Sequence, residues 1–300
     1  MARKKVTIIG AGMTGGAMAQ RIVERDIADV VLQDDPQFAG TMHHGKALDE
    51  GQAAPWLGVS SRITATDGWD ETENSDLIIC TAGAPRKPGM SREDLLNGNA
   101  AIIRAKITDA AKRSPNAPII IFANPMDAMC HVALKASGFP RERIIGQGGA
   151  LDSARYRYFV ADALGVSVKD VHGYVIGGHT DTTMVPVVSQ TRIGGVPLTD
   201  LLPPDKVAAL VARTMRGGAE IGELYKTGSA YFGPSASTAA MAEAILLDQR
   251  RLIPCSTLHT GEYGISDVFS GSRPSRKRDG REPECVSDVP RIRRLLPAYF

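Results

Sequence analysis

Lys5-Val6-Thr7-Ile8-Ile9-Gly10-Ala11-Gly12-Met13-Thr14-Gly15 opens on a short apolar strand and closes on a GxGxxG. The strand before it and the helical pattern after it are the context that gives this spacing meaning. Gly10 permits a tight turn, Gly12 lets the backbone approach a pyrophosphate, and Gly15 lets the helix pack closely on the strand. The free N–H groups of the helix start would face the phosphates. A glycine-rich turn of purely structural use is the plain alternative. Nineteen positions after Gly15, Asp34 ends the second strand, where an acidic side chain hydrogen-bonds the adenosine ribose. Its charge, with that of Asp35, would repel a 2′-phosphate, so the cofactor expected is NAD rather than NADP.

Outward from this motif, β-branched runs alternate with amphipathic stretches. Strands are expected at Lys5 to Ile9, Asp29 to Gln33, Arg62 to Thr64, Asp76 to Thr81, Pro118 to Ala123 and Ile144 to Ile145. Met18, Ile22 and Val23 give one intervening helix its apolar face, and Ala101 to Ala111 forms another. This alternation predicts an α/β fold, a doubly wound parallel Rossmann sheet over residues 1–147. The pattern then changes to a helix at Ala150 to Leu164, a β-rich segment at Val168 to Ile193, helical regions at Asp205 to Lys226 and Ser235 to Gln249, and strands at Pro254 to Tyr263. An α+β substrate domain is expected over 148–269, with the active site between the halves.

The chain has 300 residues, 43% hydrophobic and 23% charged, which suits a folded body and excludes general disorder. No apolar run approaches the ~18 residues of a membrane helix. The basic Met1 to Lys5 and the apolar residues behind it imitate a secretion signal, but three glycines break the stretch, and a cytoplasmic protein is expected. The four cysteines, Cys80, Cys130, Cys255 and Cys285, show no metal-ligand spacing, so reduced thiols and no metal are expected. The net charge is +2, yet residues 271–300 hold eight Lys/Arg and four Asp/Glu, leaving the first 270 residues with 27 basic and 29 acidic groups. The basicity belongs to the tail. A nucleic-acid binder acting through Arg273, Arg276, Lys277, Arg278 and Arg281 is the non-enzyme alternative, but no aromatic interleaving accompanies that run.

Four further segments carry chemistry. Thr81 to Arg92 holds Arg86 and Arg92, six apart, in a loop whose Pro85, Pro88 and Gly89 suit a lid. Asn124-Pro125 follows the fifth strand, where open α/β sheets bind ligands. Asp152 and Arg155 stand three apart on one helix face, beside an apolar stripe of Leu151, Ala154, Tyr158 and Ala161. His179, in Gly177-Gly178-His179-Thr180-Asp181, follows an apolar strand expected at Val171 to Ile176 and is placed for proton transfer. The other histidines, His43, His44, His131, His172 and His259, read as surface or structural.

Together, and in this order over roughly residues 4–269, these segments resemble the lactate/malate dehydrogenase family, its malate branch in particular. The resemblance implies that His179 is the acid/base and Asp152 its orienting partner. It implies that Arg155 holds the substrate C1 carboxylate, that Arg92 polarises the reacting carbonyl, and that Asn124 touches both substrate and nicotinamide ribose. Gly10, Ala11, Gly12, Met13, Thr14, Gly15, Asp34, Asn99, Phe122, Ala123 and Asn124 match cofactor-contact positions. Arg86 matches the position facing the C3 substituent, where a cation wants a second carboxylate. Malate and oxaloacetate supply one, whereas lactate and pyruvate, the alternative within the family, would leave a buried guanidinium unpaired. The implied assembly is a homodimer or homotetramer. From residue 270 the resemblance ends abruptly: Pro274, Pro283, Pro290 and Pro297 interrupt a stretch without the family's closing amphipathic helix, which reads as a disordered tail or the product of a shifted reading frame.

Overall fold

The structure, a computed structural model, describes residues 3–84 and 91–272, with the side chains of Phe38, Ala39, Arg92 and Ser272 outside the description. The segment 85–90, which contains Arg86, and the tail from residue 273 onward lie outside the described residues, and so do the lid and tail expectations.

The first half contains strands β1 (Lys5–Ile9), β2 (Asp29–Gln33), β3 (Ile63–Thr66), β4 (Leu77–Cys80), β5 (Ile119–Ile121) and β6 (Ile144–Gly146). All pair in parallel, in the spatial order β3-β2-β1-β4-β5-β6. Leu77-Ile78-Ile79-Cys80 and Ile119-Ile120-Ile121 are buried throughout, as a parallel sheet covered on both faces demands. Each such aliphatic side chain contributes roughly 1.5–3 kcal/mol through burial. Helices α1 (Met13–Glu24), α2 (Pro36–Ala39), α3 (Met42–Leu57), α4 (Arg92–Arg113) and α5 (Met126–Ser137) connect them. One apolar cluster lies under α1, with Met18, Ile22 and Val23 against Ile8 and Leu32, and a second lies under α4 and α5, with Ile103 and Ile107 against Ile119 and Ile121. The strand order reverses between β1 and β4, which opens a crevice beyond their carboxyl ends.

The second half runs α6 (Gly148–Leu164), β7 (Val171–His172), β8 (Val175–Gly177), β9 (Met184–Pro186), β10 (Arg192–Ile193), β11 (Val196–Pro197), α7 (Leu198–Leu201), α8 (Pro204–Tyr225), α9 (Phe232–Leu246), β12 (Cys255–Thr260) and β13 (Ser266–Ser272). Its larger strands extend the first sheet, antiparallel, in the order β6-β12-β13-β8-β9. A separate three-stranded sheet, β11-β10-β7, caps α6.

Three readings need correction. The strand expected at Val171 to Ile176 is two strands in two sheets, broken at Gly173. A side chain there would meet the Tyr156 ring at 2.9 Å, so the chain bends close over Tyr156 and changes sheet. The stripe expected on α6 is rotated: Ala154 is exposed and Tyr158 is 60% exposed, while Tyr156, Phe159 and Val160 form the core side. Tyr156 is preferred inside because its hydroxyl reaches Thr191 Oγ1 at 2.9 Å. The tail begins later than residue 270, since Ser270 and Gly271 pair with Thr257 and Ser256 in β13. Of the histidines read as surface or structural, His43 and His259 are buried. Helices α3 and α5 and strand β13 were not anticipated. Helix α3 carries Gly45, Gly51 and an internal Pro55, and buries only His43 and Ala47, so it lacks an apolar stripe to read.

Candidate active site

At the carboxyl end of β1 the glycines are dictated by contact. Gly10 has φ +94°, and a side chain on it would lie 2.8 Å from both Ala82 N and Thr81 Oγ1. A side chain on Gly15 would lie 1.9 Å from Gly10 O, whereas one on Gly12 would meet nothing within 4 Å. The turn is closed on its inner side and open at Gly12. Helix α1 starts at Gly12 with no side-chain cap and no acidic residue in its first turn, so its leading N–H groups and positive dipole end face that opening. This cradle fits a dinucleotide pyrophosphate.

Asp34 reaches back to the same turn: its Oδ2 accepts from Ala11 N at 2.7 Å and its Oδ1 from Asp35 N at 2.8 Å. Lys46 of α3, which the sequence reading missed, donates from Nζ to Ala11 O at 2.6 Å and Gly12 O at 2.8 Å. Burial lowers its pKa and the Asp34 charge opposes that shift. Nothing in the sequence flags Lys46, because only the packing of α3 on α1 brings it to the turn.

Between β4 and β5, Asn99 is buried and fully engaged. Its Oδ1 accepts from Ala84 N at 2.8 Å, and its Nδ2 donates to Asn124 O at 2.6 Å and Ala84 O at 3.2 Å. It props the loop after β4 against the loop after β5. Phe122, Ala123 and Asn124 line the same cleft, of about 510 Å³, with Thr14, Gln147, Arg155 and His179.

The far wall is charged. Asp152 is buried on α6, and His179 follows β8 on the neighbouring loop. Asp152 Oδ2 meets His179 Nδ1 at 2.7 Å, and Asp152 Oδ1 accepts from Arg155 Nη1 at 3.2 Å. Burial disfavours the imidazolium of His179, but the Asp152 carboxylate, with Asp127 behind it, outweighs that and raises its pKa. Burial lowers the pKa of Arg155 against the pull of Asp152. With Nδ1 on Asp152, Nε2 is the ring atom that faces the cleft without a hydrogen bond among the described residues.

Other residues set this geometry without an obvious sequence signal. Gly148 lets the imidazole lie against α6, since a side chain there would sit 2.6 Å from His179 Cγ. On α8, side chains at Gly217 and Gly218 would stand 3.2 Å from Arg155 Cδ and 3.5 Å from its Nη2, so the guanidinium fills the space they leave. Asp127 of α5 is mostly buried, which raises its pKa. Its Oδ2 accepts from His179 N at 2.9 Å and its Oδ1 from Ser256 Oγ at 2.6 Å, tying α5 and β12 to the histidine loop. Arg86 and the side chain of Arg92 lie outside the described residues. Arg92 is the first residue of α4, directly after the N-cap Ser91 of a Ser91–Asp94 capping box.

The comparisons bear on this arrangement. Residues 4–146 match the lactate/malate dehydrogenase NAD binding domain, and residues 149–289 match the lactate/malate dehydrogenase alpha/beta C-terminal domain. The chain belongs to the lactate/malate dehydrogenase family. A malate dehydrogenase from Chloroherpeton thalassium is 50% identical over 93% of this chain and 89% of its own. The apo structure of the malate dehydrogenase from Picrophilus torridus superposes with a TM-score of 0.90 at 38% identity, covering 99% of this chain and 95% of that one. A lactate dehydrogenase from Cryptosporidium parvum, solved with lactic acid and nicotinamide adenine dinucleotide, reaches a TM-score of 0.86 at 37% identity, covering 91% and 86%. Fold likeness is thus shared by both branches, and the substrate must be argued from side chains and from sequence identity. No helix among the described residues is long and apolar enough to cross a membrane.

Proposed function

We propose that this chain is an NAD-dependent oxidoreductase of the malate branch, which interconverts (S)-malate and oxaloacetate. The observation that carries the chemistry is the Asp152–His179 contact at 2.7 Å in a cleft continuous with the glycine cradle, with Arg155 on the same carboxylate. When bound, a nicotinamide would supply the acceptor for the C2 hydride of malate and the donor in the reverse direction. The cradle at Gly10 to Gly15, including Ala11, Met13 and Thr14, would hold the pyrophosphate and Asp34 the adenosine ribose. Phe122, Ala123 and Asn124 would line the nicotinamide end, with Asn99 holding their loop in place.

The remaining work belongs to the protein. His179 Nε2 takes the proton from the C2 hydroxyl of malate, and in reverse the imidazolium gives it back. Asp152 fixes the Nδ1–H tautomer and stabilises the charge that His179 gains. Arg155 presents a planar fork to the C1 carboxylate, which Lys would not reproduce. We assign Arg92 to the reacting carbonyl oxygen, Asn124 to a substrate contact and Arg86 to the distal carboxylate of the four-carbon acid. Support for malate over lactate comes from Arg86 and from the 50% identity to malate dehydrogenases.

We further infer a homodimer or homotetramer at work in the cytoplasm, with a cofactor half to residue 147 and a substrate half from residue 148. Exposed large apolar side chains support association: Trp56 is 95% and Leu48 66% exposed on α3, and Phe232 is 55% exposed at the start of α9.

Steady-state turnover with oxaloacetate and with pyruvate, each with NADH and NADPH, tests this reading. Oxaloacetate with NADH should be preferred in both comparisons. In Arg86→Gln, oxaloacetate should lose a charge-assisted pair worth roughly 1.5–3 kcal/mol, while pyruvate should gain. An equal loss for both substrates would remove Arg86 from the choice of substrate.

A further inference from the structure

Away from the cleft, three metal-ligating side chains converge where α3 begins and β3 ends. His43 and His44 lie on the first turn of α3, and Asp67 follows β3 directly. His43 Nε2 stands 2.7 Å and His44 Nε2 2.9 Å from the same oxygen, Asp67 Oδ1. All three ligand atoms lie within 4.8 Å of one another. His43 is fully buried, and its Nδ1 has no hydrogen-bond partner among the described residues, so the ring is engaged through Nε2 alone. His44 and Asp67 are 45% and 53% exposed, which leaves the outer side of the trio open to water.

We propose that His43, His44 and Asp67 form a binding site for a divalent transition metal, with Zn²⁺ the ion that suits it. Two imidazole nitrogens and one carboxylate oxygen are a donor set zinc accepts, and water would complete a tetrahedron. Zinc takes each imidazole in its neutral form through Nε2, so a proton held on Nε2 moves to Nδ1 of the same ring, a ring that starts as imidazolium releases one proton to solvent, and the carboxylate offsets one of the two metal charges. Bond lengths of 2.0–2.2 Å place neighbouring ligand atoms of a tetrahedral site roughly 3.3 Å apart. The trio must therefore open by about half an ångström, and the two exposed side chains have the freedom to do so. His43, held in the core, supplies the fixed point.

Occupancy would clamp the start of α3 to the end of β3, next to the acidic turn, because Asp34 N donates to Thr66 O at 3.3 Å, one residue before Asp67. The zinc would be structural: His179, Asp152 and Arg155 form a separate cluster.

The test uses the full chain freed of any affinity tag and stripped with a chelator, with Zn²⁺ and Co²⁺ as probes. Calorimetry should give one Zn²⁺ per chain, and the melting temperature should rise with zinc. The Co²⁺ spectrum should lack a thiolate charge-transfer band. Asp67→Asn keeps an oxygen that both histidines can still bond, so the hydrogen-bonded clamp survives, yet zinc affinity should fall at least ~10- to 100-fold. His44→Ala, at an exposed position, should fall similarly while metal-free turnover with NADH stays at the wild-type value. Absence of zinc binding by the wild type, equal binding by both variants, or a thiolate band would overturn the proposal and leave the trio as a hydrogen-bonded clamp only.

Discussion

Among the described residues, two places bring a carboxylate and an imidazole to 2.7 Å, and they differ in what surrounds the contact. At Asp152–His179 the carboxylate is 2% and the ring 17% exposed, and Arg155 shares the anion. At Asp67–His43 the carboxylate is 53% exposed and the ring is buried, with a second histidine on the same oxygen. In the first, low exposure makes the carboxylate charge effective, and the pKa of His179 rises. In the second the pKa of the Asp67 carboxylate is lowered by the hydrogen bonds from His44 and His43. The same distance therefore accompanies a raised imidazole pKa in one place and a gathering of three ligand-type atoms in the other.

The most drastic way to break the contrast is His179→Asn, which should lower turnover by ~10² to 10⁴ while NADH binding, followed by fluorescence titration, survives. Near-normal turnover would sink the mechanism. Asp152→Asn should also cost about 10² and, more tellingly, move the pH profile. Oxaloacetate reduction needs protonated His179, so kcat/KM falls as pH rises through the raised pKa of that ring. Removing the Asp152 charge leaves the burial that lowers it, and the alkaline limb should shift to lower pH. An unmoved limb would assign the titration elsewhere.

Smaller effects test the supports. Gly148→Ala forces the His179 ring aside and should cost about 10-fold to 10² in kcat with NADH binding retained, since misplacement by an ångström is expensive. Lys46→Met removes two bonds to the glycine turn, so the KM for NADH should rise about 10-fold with kcat little changed. The smallest effect is expected for Asp34→Ser, a narrower preference for NADH over NADPH. An unchanged ratio of kcat/KM would show that the acidic turn does not choose the cofactor.

Much of the first half was legible because its signals are local. Strands β1 and β2 fall at the residues expected, since a buried parallel strand is a short apolar run and nothing else competes for it. Helix α1 follows its glycines for the same reason. Strand β13 escaped because Ser266 to Ser272 alternates poorly and becomes a strand by lying between β12 and β8. The stripe on α6 was misplaced because Tyr156 and Tyr158 look alike in sequence, and it is the tertiary surroundings, an apolar cluster and the hydroxyl of Thr191, that receive Tyr156.

By itself the sequence determined the doubly wound first half, the dinucleotide cradle, and the place of Asp152 and Arg155 on one helix face. Spacing along one helix or one turn is enough to specify such features. Tertiary structure alone decided that the second half extends the same sheet, that Gly148, Gly217, Gly218 and Asp127 pack against His179 and Arg155, and that Lys46 bonds the glycine turn. It also brought Asp67 to His43 and His44, which stand 24 and 23 positions before it in the chain. These are contacts between elements distant in sequence, and the packing of one helix face or loop on another creates them. No local periodicity records which side chains will meet there.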